Sequence, residues 1–330
     1  MISTYPPDFN HLGQALGINI LTYPITNAKI LIQLGHEPLS PYLTKDLFGR
    51  SVGCYPNVFG YMGHIKRTAG VMGLYKGLSA KICECLISAT VSIHVSKKLK
   101  EKYPGPNLKE IIAMRGKRRP DPEELIYSAS APLLYNTDGG ELVADDQRLW
   151  ETFYVELARE SLCHLAGIVA SQPFHVVCVR MIADYIGKEA KYSGIFASIA
   201  EIKSNDGLPG FFSGLMPRVL GELFTFWISY TLAYFANKYI LDNTELQNHS
   251  LTIAGIIANI FTYPYTLVGN IMCVTGATGL RAGRPPLMLF YKNWFDCWNH
   301  LSAQGQLKRG SQLFWRTLPM LKNVDYATLD

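Results

Sequence analysis

The tripeptides Thr22-Tyr23-Pro24, Ser171-Gln172-Pro173 and Thr262-Tyr263-Pro264 share one form: a hydroxyl residue, one further residue, then proline, each inside a long apolar run. A glycine-bounded turn follows each of them. Gly70-Val71-Met72-Gly73-Leu74-Tyr75-Lys76-Gly77 follows the first, and Gly207-Leu208-Pro209-Gly210-Phe211-Phe212-Ser213-Gly214 follows the second. A looser third version runs from Gly305 through Gly310 and on to Phe314-Trp315-Arg316. The closing glycines, Gly77, Gly214 and Gly310, fall 41 to 53 residues after their prolines. Phe59, Phe196 and Trp294 each lie 11 residues before the opening glycine of their turn. Two independent markers in register define an internal threefold repeat, which must be read before any local feature.

Composition narrows the class. The 330 residues are 48% hydrophobic and only 17% charged, where soluble domains carry about a quarter charged residues. That balance points to a membrane protein. The net charge of +5 is spread over loops and gives no reason to expect nucleic-acid binding. Seven cysteines without a CxxC pair read as buried thiols, not as a zinc site or disulfide framework. The histidines have no metal-ligand spacing, so neither a metal nor a cofactor is expected. The N-terminus resembles neither a secretory signal nor a basic presequence, so targeting information is expected within the chain.

Five segments read as spans, since about 20 apolar residues cross a bilayer. Repeat 1 occupies residues 1–100, with spans at about 11–34 and 78–99. The second of these is weakened by Lys81, Glu84 and His94. Gly13 and Gly17 are spaced to let a neighbouring helix approach. Residues 101–157 form a polar loop, expected to be partly disordered, with a basic cluster at Arg115–Arg119. Repeat 2 occupies 158–241, with spans at about 161–182 and 216–240. Repeat 3 occupies 250–330 and holds one span, about 250–274. Short amphipathic helices near 57–67, 192–204 and 294–301 suit the membrane surface. Residues 35–56 read as a loop. Pro24, Pro173 and Pro264 should kink their helices, with hydroxyls and neighbouring helices re-satisfying the freed carbonyls. After the third turn only 14 residues remain, 317–330, too few and too polar for a sixth span. The expected fold is an all-α membrane protein: a threefold-repeat bundle of kinked helices with five transmembrane helices, the sixth missing, and short surface helices.

This pattern resembles the mitochondrial carrier family, whose three tandem copies each join a kinked helix, a surface helix, a glycine-aromatic-basic-glycine turn and a second span. The residues that carry the likeness are Gly73, Tyr75, Lys76 and Gly77 in the first turn, and Gly210, Phe212, Gly214, Pro217 and Arg218 in the second. The family signature places an acidic residue two positions after the proline and a basic one five after it. Here the first positions hold Thr26, His175 and Thr266, and the second hold Lys29, Cys178 and Gly269. One charge of six is present, so the signature's ion-pair ring cannot form. With the missing span, this narrows the likeness to the mitochondrial carrier homologues. Further support lies in Leu34-Gly35-His36-Glu37-Pro38-Leu39, Pro173-Phe174-His175-Val176-Val177, Gly187–Tyr192 and Arg309-Gly310. The resemblance implies residence in the mitochondrial outer membrane. It also implies an insertase activity for α-helical membrane proteins, tail-anchored ones included.

Physics accommodates that implication. Without a sixth helix the ring opens sideways to lipid, and polar residues of the bundle would line a groove joining water to the membrane interior. Moving an unpaired polar group into an apolar medium costs a few kcal/mol, and a hydrated groove lowers that barrier. No bond chemistry, nucleotide or enzyme activity is called for. Lys29 and Asn270 are expected to border the gap, with the Tyr263 hydroxyl presented there. Glu222 with Arg218, and His175 with Arg180, are expected on the far wall. Lys29 and Glu222 carry the functional expectation most directly, as ionisable groups within spans. Arg218 equally suits a structural place in the turn, Arg180 can snorkel to headgroups, His175 can be a helix-packing residue, and Tyr263 can anchor at the interface. The expected partners are membrane lipids, the hydrophobic helices of client proteins and, at the 101–157 loop, soluble proteins. A degenerate carrier of a small metabolite and a docking receptor are the competing readings. Lipid scrambling would be a by-product of the open groove.

Overall fold

The computed structural model describes residues 9–45, 51–102, 139–239 and 244–317. Eight α-helices account for most of them. They are α1 (Phe9–Gln33), α2 (Val58–Leu74), α3 (Leu78–Lys102), α4 (Gly139–Gly187), α5 (Ile195–Asn205), α6 (Leu215–Tyr239), α7 (Thr244–Val274) and α8 (Trp294–Ala303). Four of them, α3, α4, α6 and α7, are long and apolar enough to cross a membrane. At 25 residues α1 also has the length, and Lys29 is its one lysine, arginine or acidic residue. The surface helices α2, α5 and α8 fall where the amphipathic spacing puts them.

Each proline lies inside a continuous helix: Pro24 in α1, Pro173 in α4 and Pro264 in α7. The hydroxyl ahead of each bonds back along its own helix: Thr22 to Ile18 O (2.8 Å), Ser171 to Ile168 O (3.2 Å) and Thr262 to Ala258 O (3.1 Å). None is the carbonyl four residues before the proline, which loses its partner. The expected re-satisfaction by these hydroxyls is therefore not what they do.

The middle residue of each phrase has a more specific task. Tyr23 OH donates to Lys76 O at 2.8 Å, Gln172 Nε2 to Ser213 O at 2.8 Å, and Tyr263 OH to Arg309 O at 2.6 Å. In all three, the acceptor immediately precedes the closing glycine. Those glycines, Gly77, Gly214 and Gly310, have φ of 88°, 71° and 79°, a conformation in which a side chain is strained. A Cβ would also meet the Tyr23 hydroxyl at 2.7 Å, the Gly269 carbonyl oxygen, and the Tyr263 hydroxyl at 3.0 Å, respectively. One contact, made three times, thus fastens each glycine turn to the proline region of a long helix. Asn27 adds to the first by donating to Gly73 O and Leu74 O, both at 3.1 Å.

Helices pair along their lengths in two places. α3 lies on α4, where Gly167 leaves room for Ser88 and Ser92, and Ser92 Oγ donates to Cys163 O. α6 lies on α7, where Gly221 admits the Tyr265 side chain. α1 is held mainly by its second half: Tyr23, Asn27, Ala28 and Leu31 to Gln33 are buried, whereas Gly13, Gly17, Ile18, Ile20 and Leu21 are exposed. Nothing lies within 4 Å of a Cβ built at Gly13 or Gly17, so among the described residues no helix uses that spacing. α7 shows the same division. Ile253, Ile256, Ile257, Ile260 and Phe261 are exposed, whereas Leu267, Val268, Asn270 and Ile271 are buried.

Three departures from the sequence reading concern connections. α4 begins at Gly139, inside the stretch read as loop; residues 103–138 lie outside the described residues. Residues 35–56 are not plain loop. Strand β1 (Tyr42–Lys45) pairs antiparallel with β2 (Ser51–Tyr55), and β2 pairs with β3 (Arg316–Thr317) through Tyr55↔Arg316 and Cys54↔Thr317. Phe314-Trp315-Arg316 leads into that sheet, and Arg309 supplies the basic position of the third turn. Residues 318–330 lie outside the described residues.

Candidate functional site

The interior holds one connected polar chain, and its hub is Glu84. This carboxylate on α3 is 3% exposed. Its Oε2 lies 3.0 Å from Lys81 Nζ, one helical turn earlier. Its Oε1 lies 2.7 Å from Arg218 Nη2 on α6 and 3.1 Å from His175 Nδ1 on α4. An unpaired carboxylate in a span is costly; three nitrogen groups from three helices surround this one.

The chain continues both ways. Arg218 Nε lies 3.2 Å from Glu222, and Glu222 lies 3.4 Å from His164 Nε2. Arg218 Nη1 donates to Gln172 Oε1 at 2.8 Å, and Gln172 in turn holds the second glycine turn. On the other side, His175 Nε2 meets Asn270 Oδ1 at 3.2 Å, and Asn270 Nδ2 donates to Gln33 Oε1 at 2.7 Å. Gln33 Nε2 donates to the Tyr263 hydroxyl at 2.9 Å. Five long helices, α1, α3, α4, α6 and α7, thus share one hydrogen-bonded path. Such a chain satisfies polar groups that would each cost several kcal/mol alone in a membrane.

A second set of charges lies where the long helices end. Lys76 meets the fully buried Asp184 at 2.5 Å. Arg180 pairs with Asp206 and donates from Nε to Cys273 O at 2.9 Å. Arg316 pairs with Glu37 and donates to Pro56 O at 3.0 Å. Arg309 donates to Gln33 O from both Nε and Nη2. These contacts tie the surface elements to the helix ends.

The residues expected from sequence sort as follows. Arg218, Glu222 and His175 come together in the chain around Glu84. Asn270 does not border a gap: it is 5% exposed and bridges α4 to α1. Tyr263 is likewise buried, its hydroxyl spent on Arg309 O and Gln33. Arg180 neither partners His175 nor snorkels; at 1% exposure it is locked between Asp206 and the end of α7. Lys29 is half-buried, its ammonium 5.1 Å from the centre of the Tyr263 ring, a cation–π contact between α1 and α7. Glu222 keeps 40% of its side chain exposed. Among the carrier-turn residues, Tyr75 stacks on Tyr23 at 6.4 Å, and Phe212 is exposed. Gly73 and Gly210 leave no room for a Cβ beside Ala69 and Asp206. Pro217 sits in the first turn of α6, where a helix tolerates it.

Sequence reasoning missed Glu84, Lys81, Gln33, His164 and Gln172. Glu84 counted only as an interruption of the weakest span. The usable signal was there: a carboxylate within a span requires a cation, and Arg218 was the arginine in a neighbouring span without an assigned partner beyond Glu222. The chain also explains how the bundle tolerates its lost signature charges. His175, at a signature position, is drawn to Glu84, and the countercharge comes from α3 and α6. Gly269, at another, lets the backbone of α6 approach, 3.6 Å from the Arg218 nitrogen to a Cβ built there.

The sequence profile described as "Mitochondrial carrier protein" matches residues 150–244. "Mitochondrial carrier homolog 2" of Mus musculus is 33% identical over 315 residues, 94% of each chain. The Homo sapiens protein of that name is 33% identical over 311 residues, 93% of each chain. "Mitochondrial carrier homolog 1" of Mus musculus is 31% identical over 322 residues, 91% of this chain and 74% of that one. With its long apolar helices and glycine turns, the chain is a multi-pass helical membrane protein that belongs to the mitochondrial carrier family, on the divergent branch of the mitochondrial carrier homologues.

Proposed function

We propose that this protein is an insertase of the mitochondrial outer membrane for α-helical proteins, tail-anchored ones included. In this reading α1, α3, α4, α6 and α7 are five spans of a threefold-repeat, six-helix ring, and the place of the sixth is open to lipid. One observation carries it. α1 and α7 meet through Lys29, Gln33, Tyr263 and Asn270 in their second halves, while their first halves are exposed. The two helices that would flank a sixth span therefore close on one side of the bundle and stand uncovered on the other, among the described residues.

A client helix entering there finds apolar walls from Ile18, Leu21, Ile256 and Phe261, and polar groups at Lys29 and Glu222. Burial of the client's own apolar surface, at about 25 cal/mol per Å², supplies the driving force. The polar groups offer hydrogen-bond partners to the short polar tail that must cross. No bond is made or broken. The same opening gives lipid headgroups a path, so scrambling would accompany insertion. A small-metabolite carrier would need a path through the bundle where the Glu84 cluster fills it. Purified protein in liposomes is expected to raise insertion of a tail-anchored segment above protein-free liposomes. Equal insertion would refute the reading, and saturable uptake of a labelled metabolite would favour the carrier.

A further inference from the structure

The hydrogen bonds that fasten the glycine turns differ in what sets their direction. A backbone carbonyl only accepts, so the Tyr263 hydroxyl, 2.6 Å from Arg309 O, spends its proton there. Its oxygen then accepts from Gln33, which turns its amide nitrogen to Tyr263 and its oxygen to Asn270. Asn270 donates to Gln33 from Nδ2, and so shows its own oxygen to His175 Nε2 at 3.2 Å. That ring nitrogen must therefore carry a proton. The other, Nδ1, lies 3.1 Å from Glu84 Oε1. Lys81 and Arg218, which only donate, occupy the two oxygens of that carboxylate and hold it ionised. Nδ1 must then carry a proton as well. Fixed by a backbone carbonyl at one end and a carboxylate at the other, the path requires His175 in its doubly protonated, cationic form.

We infer that His175 is a buried proton-binding site, and that its proton decides whether the third glycine turn is fastened. Neutral His175 keeps Nδ1–H on Glu84 and presents a lone pair at Nε2; the other tautomer would set a lone pair against the carboxylate. The Nε2 lone pair needs a donor, which Asn270 supplies only by reversing its amide. Gln33 must then reverse too, and the Tyr263 hydroxyl turns from Arg309 O to the Gln33 oxygen. A proton lost on α4 is thus a hydrogen bond lost at the third turn. The Arg309 side chain stays on Gln33 O, so the turn loosens without leaving. The other turns lack this dependence. Gln172 takes its orientation from Arg218, which has no acceptor and does not lose its proton. Tyr23 donates to Lys76 O and ends on the Cys178 thiol, not on an imidazole. The charged groups facing His175 are Glu84 and Lys81 from α3, and Arg218 from α6 with Glu222 behind it. From α1 and α7 the path offers the neutral Gln33 and Asn270, with Lys29 beyond them over the Tyr263 ring. Burial and the two fixed cations oppose a third positive charge, whereas the carboxylate and the two aligned acceptors favour it. That balance makes the proton exchangeable. The inference stands apart from the insertase reading, because the path lies in the second halves of α1 and α7.

The test follows amide hydrogen exchange at the three turns of the full-length protein in proteoliposomes, from about pH 6 to about pH 9, around the ordinary histidine value of about 6.5. Rates are corrected for the intrinsic effect of pH on exchange. Raising the pH should speed exchange at the third turn, where the Arg309 N–H donates to Gln306 O. The expected gain is about fivefold or more, the scale of one lost hydrogen bond, with the first two turns unchanged. In Tyr263→Phe, which has no hydroxyl to redirect, the third turn should exchange fast at every pH. Ring spectra of isotope-labelled histidine should show an imidazolium that loses a proton over the same range and is missing from His175→Gln. The comparison between turns is made within the wild-type protein, so it does not depend on either variant folding. A third turn whose exchange follows pH no differently from the first two would overturn the latch. A His175 already neutral at the acid end would overturn the proton site.

Discussion

Glu84 stands on the helix whose sequence gives the poorest case for crossing a membrane, yet it collects Lys81, His175 and Arg218 around one carboxylate. Its removal leaves Lys81 without a countercharge and Arg218 with Glu222 alone, and breaking such buried pairs costs about 3–5 kcal/mol. Glu84→Gln should therefore lower stability by that order, read as the thermal midpoint or denaturation free energy in detergent micelles. Adding Arg218→Gln should cost less than it does in the wild-type background, because one of the arginine's two carboxylate partners is already gone; a strictly additive double variant would show that the two do not form a unit. A second residue-scale prediction concerns pH. His36, outside the spans, packs edge-on against Tyr185 at 5.9 Å. Burial, and then the nearby His64, hold its imidazole below the ordinary value of 6.5. The folded state thus binds this proton less readily than the unfolded chain. The contribution is present above pH 6.5 and is lost as pH falls through the lower folded value. Wild-type protein should lose stability between neutral pH and the acid side of that window, and His36→Gln should lose less.

The helices and their turns were the most legible elements, because each had a chemical marker. The proline phrases located α1, α4 and α7, and the glycine pairs located the turns. The bond from Tyr23, Gln172 and Tyr263 to the carbonyl before each closing glycine could not be read, since it joins positions 41 to 53 residues apart. The sheet was missed for a similar reason: β3 is two residues long and pairs with Cys54 and Tyr55, far away in the chain. The start of α4 was missed because acidic and polar residues before Phe153 look like loop when only apolar spacing is counted. Glycine positions offer the sharpest test at this scale. Gly214 combines φ of 71° with a Cβ path into the Gly269 carbonyl of α7, whereas Gly305, at 65°, has open space around it. Gly214→Ala should destabilise by about 3 kcal/mol or more, as strain and overpacking add. Gly305→Ala should cost only the backbone term, about 1 kcal/mol. Equal unfolding midpoints for the two variants would mean that the α6 turn does not approach α7 so closely.

At the scale of the molecule, α1 and α7 are asymmetric: their second halves are tied by the polar chain and by the charges at the helix ends, whereas their first halves leave Ile18, Leu21, Ile253 and Ile256 exposed. Asn270 and Tyr263, expected from sequence on a polar rim, turn inward to Gln33 and Arg309. Of the ionisable residues proposed for the path, Lys29 is half-buried and Glu222 keeps 40% of its side chain exposed. Lys29→Glu should lower the insertion rate in proteoliposomes several-fold while leaving the unfolding free energy within about 1 kcal/mol of wild type, since its contact is a single cation–π interaction. An unchanged rate would remove Lys29 from the path. The most direct measurement places a photo-crosslinking residue at Leu21 of α1 or Ile257 of α7, and as controls at Leu86 of α3 or Leu232 of α6, all four exposed on their helices. During insertion of a tail-anchored client, its hydrophobic helix should be captured from positions 21 and 257 and not from 86 or 232. Capture from 86 and 232 alone, or equal capture from all four, would contradict a lateral opening between α1 and α7.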